Sequence, residues 1–201
     1  MNGKLSVAEY SPKDVKELFT AVNSRQVLAL MFHNDMADLF DFLGLRGFKR
    51  MHEYQYLEES CMHRKMKRYY INHHGMLLPN EDVEPVDIIP YDWYQYNRMA
   101  VTPAVRKQAV QRAMEQYKEW ETDTKALYEK SARMLLDWGC VADFNEINYL
   151  VCDVDLELKY LERLCIELKA ADYDFGYVGM LQEEYHERYK EKCKDVGKIL
   201  C

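Results

Sequence analysis

Three interruptions govern what this chain can fold into: a tight turn at Gly44-Leu45-Arg46-Gly47, an irregular passage from Gly75 to Thr102, and a second tight turn around Gly139. Long stretches with helical spacing of apolar residues run between them. Short connections make antiparallel neighbours of the helices they join. A passage of 28 residues, at about 3.3 Å per extended residue, can instead climb a bundle roughly 40 Å tall. The second and third helices are therefore expected to run parallel. The order helix, helix, crossover, helix, helix predicts an all-α four-helix bundle: two antiparallel hairpins joined by a crossover at about residues 75–102.

The five prolines, at 12, 79, 85, 90 and 103, leave the intervening segments free for helices. Ser11-Pro12 and Thr102-Pro103 each read as a helix start, a capping hydroxyl followed by proline where its missing N–H costs nothing. The first helix carries Val15, Leu18, Val22, Leu28, Met31, Phe32, Leu39 and Phe42, with a kink expected at Asn23-Ser24. The second runs from about Phe48 to His73 or His74 and closes on Gly75 as a left-handed cap. In the crossover, Tyr91, Trp93, Tyr94 and Tyr96 are expected to fasten the chain to the bundle flank. The third helix extends from Thr102 to Gly139. The fourth carries the clearest stripe, from Phe144 and Ile147 to Leu168. Asp172 to Gly176 then interrupts, and a charged, more exposed fifth helix is expected from Met180 to about Val196. This divides the chain into a bundle, 1–175, and a C-terminal helix and tail, 176–201.

Net charge is −7 and the pI near 5.4, which disfavours a phosphate-binding face and hence nucleic acid as a partner. The basic cluster Arg64, Lys65, Lys67 and Arg68 reads as a solvated helix face. Six cysteines are widely spread without a Cys-x-x-Cys pair, mostly in apolar helical stretches, as expected of free thiols in a reducing compartment. No signal-peptide core and no membrane-spanning apolar run is present, so a cytoplasmic protein with no membrane partner is expected.

A di-iron site in such a bundle takes carboxylates from two helices and a Glu-x-x-His step from each of the other two, because one turn places both side chains on the same inward face. On the second helix, Glu59 and His63 are four apart and can converge on one ion, while Glu58 lies on the stripe of Met62. On the third, Glu121 shares a line with Tyr117, Thr124 and Tyr128, a polar island in an apolar face, with Glu119 one residue off it. The stretch from His63 to Gly75, together with the short-long-short wiring, resembles the ferritin-like superfamily. In that register the family's second-helix glutamate falls on Ser60, with Glu59 one position earlier. Its first-helix glutamate falls in Leu28 to Met31, where there is no acid, and His33 and Asp35 are the nearest donors. In the fourth helix the ligand position falls near Val151 to Glu157, flanked by Asp155 and Glu157, with no histidine.

The resemblance thus implies a ferritin-like bundle, forming a homo-oligomer, with an incomplete di-iron ligand set. The candidate metal ligands are Glu59, His63, Glu121, His33, Asp35, Asp155 and Glu157, with iron or another divalent metal as the cofactor and, for an active centre, dioxygen or peroxide as co-substrate. The alternative is a metal-free bundle acting through tyrosine- and methionine-rich interaction faces. Elsewhere, His52-Glu53-Tyr54-Gln55-Tyr56 begins like a zinc-protease motif but has tyrosine at the second histidine. His73-His74, at a helix C-terminus, reads as a cap favoured by the helix dipole.

Overall fold

The computed structural model describes residues 10–79, 97 and 101–196, and of residues 191 and 193–196 the backbone only. The described residues form five helices: α1 (Val15–Phe42), α2 (Arg46–His74), α3 (Pro103–Asp137), α4 (Val141–Ala170) and α5 (Phe175–Val196). Most of the crossover, with its four aromatic residues, lies outside the described residues. No helix among the described residues is long and apolar enough to cross a membrane.

The ends of the helices follow local chemistry. Thr102 caps α3 as expected, accepting from the Val105 N–H at 3.2 Å, with Pro103 in the first turn. The start of α1 differs from expectation: Asp14, not Ser11, is its cap. The Asp14 carboxylate accepts from the Glu17 N–H at 2.8 Å, and the Glu17 carboxylate accepts from the Lys13 N–H at 2.9 Å, so one donor of the first turn and one just before the cap are satisfied downstream of Pro12. Helix α1 runs unbroken through Asn23-Ser24, where the Ser24 hydroxyl donates to the Thr20 carbonyl one turn back. Gly44 and Gly139 adopt φ of 75° and 73° at the ends of α1 and α3. Each permits the 6→1 and 5→2 bonds that close a helix: Leu45 N–H to Phe40 and Gly44 N–H to Asp41, then Cys140 N–H to Leu135 and Gly139 N–H to Leu136. Gly47, by contrast, is not a turn residue. It lies in the first turn of α2.

The core consists of two apolar clusters, one towards each end of the bundle. One gathers the C-terminal half of α1, the start of α2, the N-terminal half of α3 and the end of α4, with Phe40, Phe48, Met114 and Leu168 at its centre. The other gathers the opposite ends, with Phe19, Tyr70, Leu135 and Ile147. This pairing makes α2 and α3 parallel and both hairpins antiparallel, as the wiring requires. Between the clusters lies a polar layer to which all four helices contribute. In α1 it is reached in a segment, Leu18 to Gln26, that is buried at every position. Helix α5 begins at Phe175, earlier than the sequence suggests, because Asp174 caps it by accepting from the Tyr177 N–H. It packs on the start of α2, burying Val178, Leu181 and Gln182.

Candidate metal centre

The polar layer is built from side chains that α1 to α4 project inward between the two clusters. Glu121 of α3 is 2 % exposed, within the island formed by Tyr117, Thr124 and Tyr128. His33 of α1 and Glu157 of α4 complete a group: one ligand atom of each of His33, Glu121 and Glu157 lies within 4.8 Å of the others. His33 Nε2 stands 3.8 Å from Glu121 Oε1, too far for a hydrogen bond, and this buried nitrogen has no hydrogen-bond partner among the described residues. Glu157 accepts from the Tyr117 hydroxyl and from the Gln55 amide, which also reaches the Tyr117 oxygen at 3.2 Å.

The remaining candidates fall into two sets. Glu59 belongs electrostatically to the layer, facing the field of Glu157, Asp153 and Glu58. His63 is held by Asn23, its Nε2 lying 2.8 Å from Asn23 Oδ1. Asp155 turns instead to Lys125 and Lys159, whose ammonium groups hold its carboxyl down to about 2. Asp35 sits half-buried beside Asn34 and Asp38 and is in no ligand group among the described residues.

Several buried residues of the layer are not singled out as site residues by sequence reasoning. His52 is fully buried, its Nδ1 3.0 Å from His33 Nδ1. Arg25 donates from Nε to the Thr124 hydroxyl at 2.8 Å and from Nη2 to the Trp120 carbonyl at 2.7 Å, its guanidinium 3.4 Å from the centre of the Trp120 ring. Gln26 is fully buried, and neither its amide oxygen nor its nitrogen has a partner among the described residues. The signals are faint: Asn23-Ser24-Arg25-Gln26 is a polar island between Ala21-Val22 and the apolar run from Val27 to Phe32, and Phe48, His52, Gln55 and Glu59 share one face of α2.

Burial dominates the electrostatics. It raises the Glu59 carboxyl to about 8 and Glu157 to about 7, with neighbouring acids adding to both, and lifts Glu121 well above the ordinary carboxylate range. The same burial lowers His33 to about 3 and His52 well below its usual value. The layer at neutral pH is therefore crowded with carboxyl groups that resist ionisation, beside neutral imidazoles. A folded state that holds carboxyl protons longer than the unfolded chain loses stability as pH rises through those folded-state values. Above pH 7 His33 and His52 contribute little slope, because they are largely neutral in both states. Between about pH 7 and 8.5 the melting temperature of the metal-free protein is expected to fall by about 5 °C. Calorimetry at constant ionic strength measures it, and a flat or rising profile would contradict the protonated layer.

A groove of about 140 Å³ between α2, α4 and α5 opens beside Glu157, lined among others by Gln55, Glu58, Tyr117 and Asp153.

No protein-family model matches the sequence, and no curated protein matches it. Solved structures do. The open-pore ferritin of the hyperthermophilic archaeon Archaeoglobus fulgidus superposes with a TM-score of 0.71 at 18% identity, over 88% of this chain and 98% of that one. This is a ferritin-like fold. An engineered closed form of the same ferritin gives a TM-score of 0.70 over 88% of this chain and 97% of that one, again at 18% identity. A humanized archaeal ferritin gives 0.71 over 88% and 96%, also at 18%. The likeness thus spans nearly the whole length of those chains.

The donors of the layer suit a divalent ion. Carboxylates and imidazole form an oxygen-and-nitrogen set compatible with iron, manganese or zinc. The orphaned Nε2 of His33 is a buried group that an ion would satisfy. Against this, Arg25 already places a positive charge in the field of Glu121 and Glu59.

Proposed function

We propose that this ferritin-like bundle binds a divalent metal ion, iron foremost, in its polar layer. Glu121, Glu157 and His33 supply the central ligands, and Glu59 adds charge from α2. The observation that carries this reading is the convergence of three donors from three helices within 4.8 Å in a buried layer. His63, Asp35 and Asp155 have other partners or neighbours and remain outside this central set. Binding displaces protons from carboxyl groups that burial keeps protonated, so affinity rises with pH.

Anaerobic calorimetric titration with ferrous ion, paired with metal analysis of the purified protein, tests the proposal. Glu121→Gln and Glu157→Gln each mimic the protonated acid and so preserve the packing, yet remove a ligand charge. Each is expected to weaken binding at least about tenfold, and the wild type is expected to bind more tightly at pH 8 than at pH 6.5 with release of protons. Equal binding by all three proteins would overturn the assignment.

One observation favours a second reading. The guanidinium of Arg25 is a resident cation in the layer, which supports a metal-free bundle whose acids are balanced internally. Such a protein acts as a homo-oligomer through its faces, and α4 exposes Tyr149, Leu156, Tyr160 and Ile166. Negligible ferrous binding together with a concentration-dependent assembly in sedimentation would favour it. Either form suits a reducing, cytoplasmic setting, since Cys61, Cys140, Cys152 and Cys165 form no disulfide among the described residues.

A further inference from the structure

A second group of donors lies towards one end of the bundle, away from the polar layer. Asp143, in the first turn of α4, is 3 % exposed and faces the last turn of α2. His74 Nε2 is 2.8 Å from Asp143 Oδ1, and the Tyr69 hydroxyl donates to the same oxygen at 2.9 Å. Helix dipoles explain the His74–Asp143 pair alone, since a carboxylate is favoured at a helix N-terminus and an imidazolium at a C-terminus. They do not explain His73. Its ring stacks on Tyr69 with centroids 5.3 Å apart and planes 15° apart, and one of its nitrogens lies with the His74 and Asp143 donors inside a 4.8 Å group. Tyr69 therefore orients two of the three donors, the carboxylate by a hydrogen bond and His73 by stacking, as outer partners do around metal ligands.

We propose that His73, His74 and Asp143 form a second divalent-cation site, of the zinc type, joining the end of α2 to the start of α4. Two imidazole nitrogens and one carboxylate oxygen are the donor set of an open tetrahedral site, with water as fourth ligand. The exposure of His73 and partial exposure of His74 leave room for that water. An ion about 2.0 to 2.1 Å from each donor spreads them to roughly 3.4 Å. The His74–Asp143 pair has only to open by a few tenths of an ångström, and the ion replaces the proton it now shares.

Titration of the full chain with cobalt(II), read by the visible absorption that tetrahedral cobalt alone makes intense, tests the site, with zinc as the competing ion. The wild type is expected to develop the band saturably and lose it to zinc. His73→Ala and His74→Ala are each expected to weaken cobalt at least about tenfold, and Tyr69→Phe to weaken it about tenfold while keeping all three ligands. The Glu121→Gln, Glu157→Gln double variant is expected to leave the band unchanged, which separates this site from the polar layer. No intense band in the wild type overturns the proposal. So does a band unaffected by His73→Ala, which would leave His74 and Asp143 as a helix-end ion pair.

Discussion

Substitution of Gly47 by alanine is expected to detach α5 from α2 and to lower the melting temperature by about 10 °C, a loss of roughly 3 to 4 kcal/mol. A β-carbon at Gly47 would lie 1.6 Å from the Gln182 carbonyl oxygen, 2.5 Å from its carbon and 2.9 Å from the His186 nitrogen. All three are backbone atoms, so no side-chain rotation relieves the overlap, and one helix must move. Movement breaks the bond from the Gly47 N–H to Gln182 Oε1, now 2.9 Å, and uncovers Phe48, which is fully buried and meets Tyr185 edge-on at 5.7 Å between ring centres. The sign is diagnostic, because alanine within a helix normally gains about 0.5 to 1 kcal/mol over glycine. Thermal melting and limited proteolysis measure the effect. A variant at least as stable as the wild type, with α5 equally protected, would show that the close helix approach does not exist in solution.

Arg25→Met carries the second large effect. Methionine keeps much of the length and apolar contact over Trp120 but removes two charge-assisted hydrogen bonds and the guanidinium charge that offsets Glu121 and Glu59. Deleting one side of a buried charge arrangement costs about 3 to 5 kcal/mol. Here protonation of the acids moderates the loss, and the expected cost is about 3 kcal/mol at pH 8 and smaller at pH 6.5. The variant should also bind ferrous ion more tightly than the wild type, since the competing positive charge has gone. Melting with and without metal at both pH values measures both effects. Destabilisation independent of pH would assign Arg25 to packing alone. Unchanged ferrous affinity would show that its charge does not reach the ion's position.

The wiring of the bundle is legible in the sequence because helix ends are local events. Gly44, Gly75 and Gly139 announce left-handed caps within a few residues of the apolar stripes they terminate, and connection lengths then decide which helices lie antiparallel. Ser11-Pro12 misleads only because Asp14 and Glu17, three residues on, satisfy the same donors better. Gly47 is a different case. Its neighbours in space are 135 residues away, and nothing near it in the chain distinguishes a turn glycine from one that admits another helix.

The polar layer is half legible for a related reason. Glu121 stands out because its own helix flanks it with Tyr117, Thr124 and Tyr128 along one face. Glu157 and His33 do not stand out from the other flanking donors, because their inward rotation is set by α1 and α4 packing against partners distant in sequence. His52 is read as a fragment of a zinc-protease motif when its decisive neighbour is His33 on another helix. Arg25 and Gln26 lie in a stretch of α1, Leu18 to Gln26, that is buried on every side, where amphipathic periodicity has no solvent face to mark and polar residues give no direction.

The bond between the two Nδ1 atoms of His33 and His52 holds one proton, and that proton has two homes. When it belongs to His33, the Nε2 of that ring is a bare lone pair facing Glu121, and His52 must carry its own hydrogen on the far nitrogen. When it belongs to His52, the hydrogen of His33 moves to Nε2 and points at the carboxyl group instead. Neutral imidazoles offer no third arrangement. The layer thus contains a two-state relay in which the tautomer of a ring on α2 is dictated by what the ring on α1 faces across the bundle, so His52 registers what lies on the far side of His33.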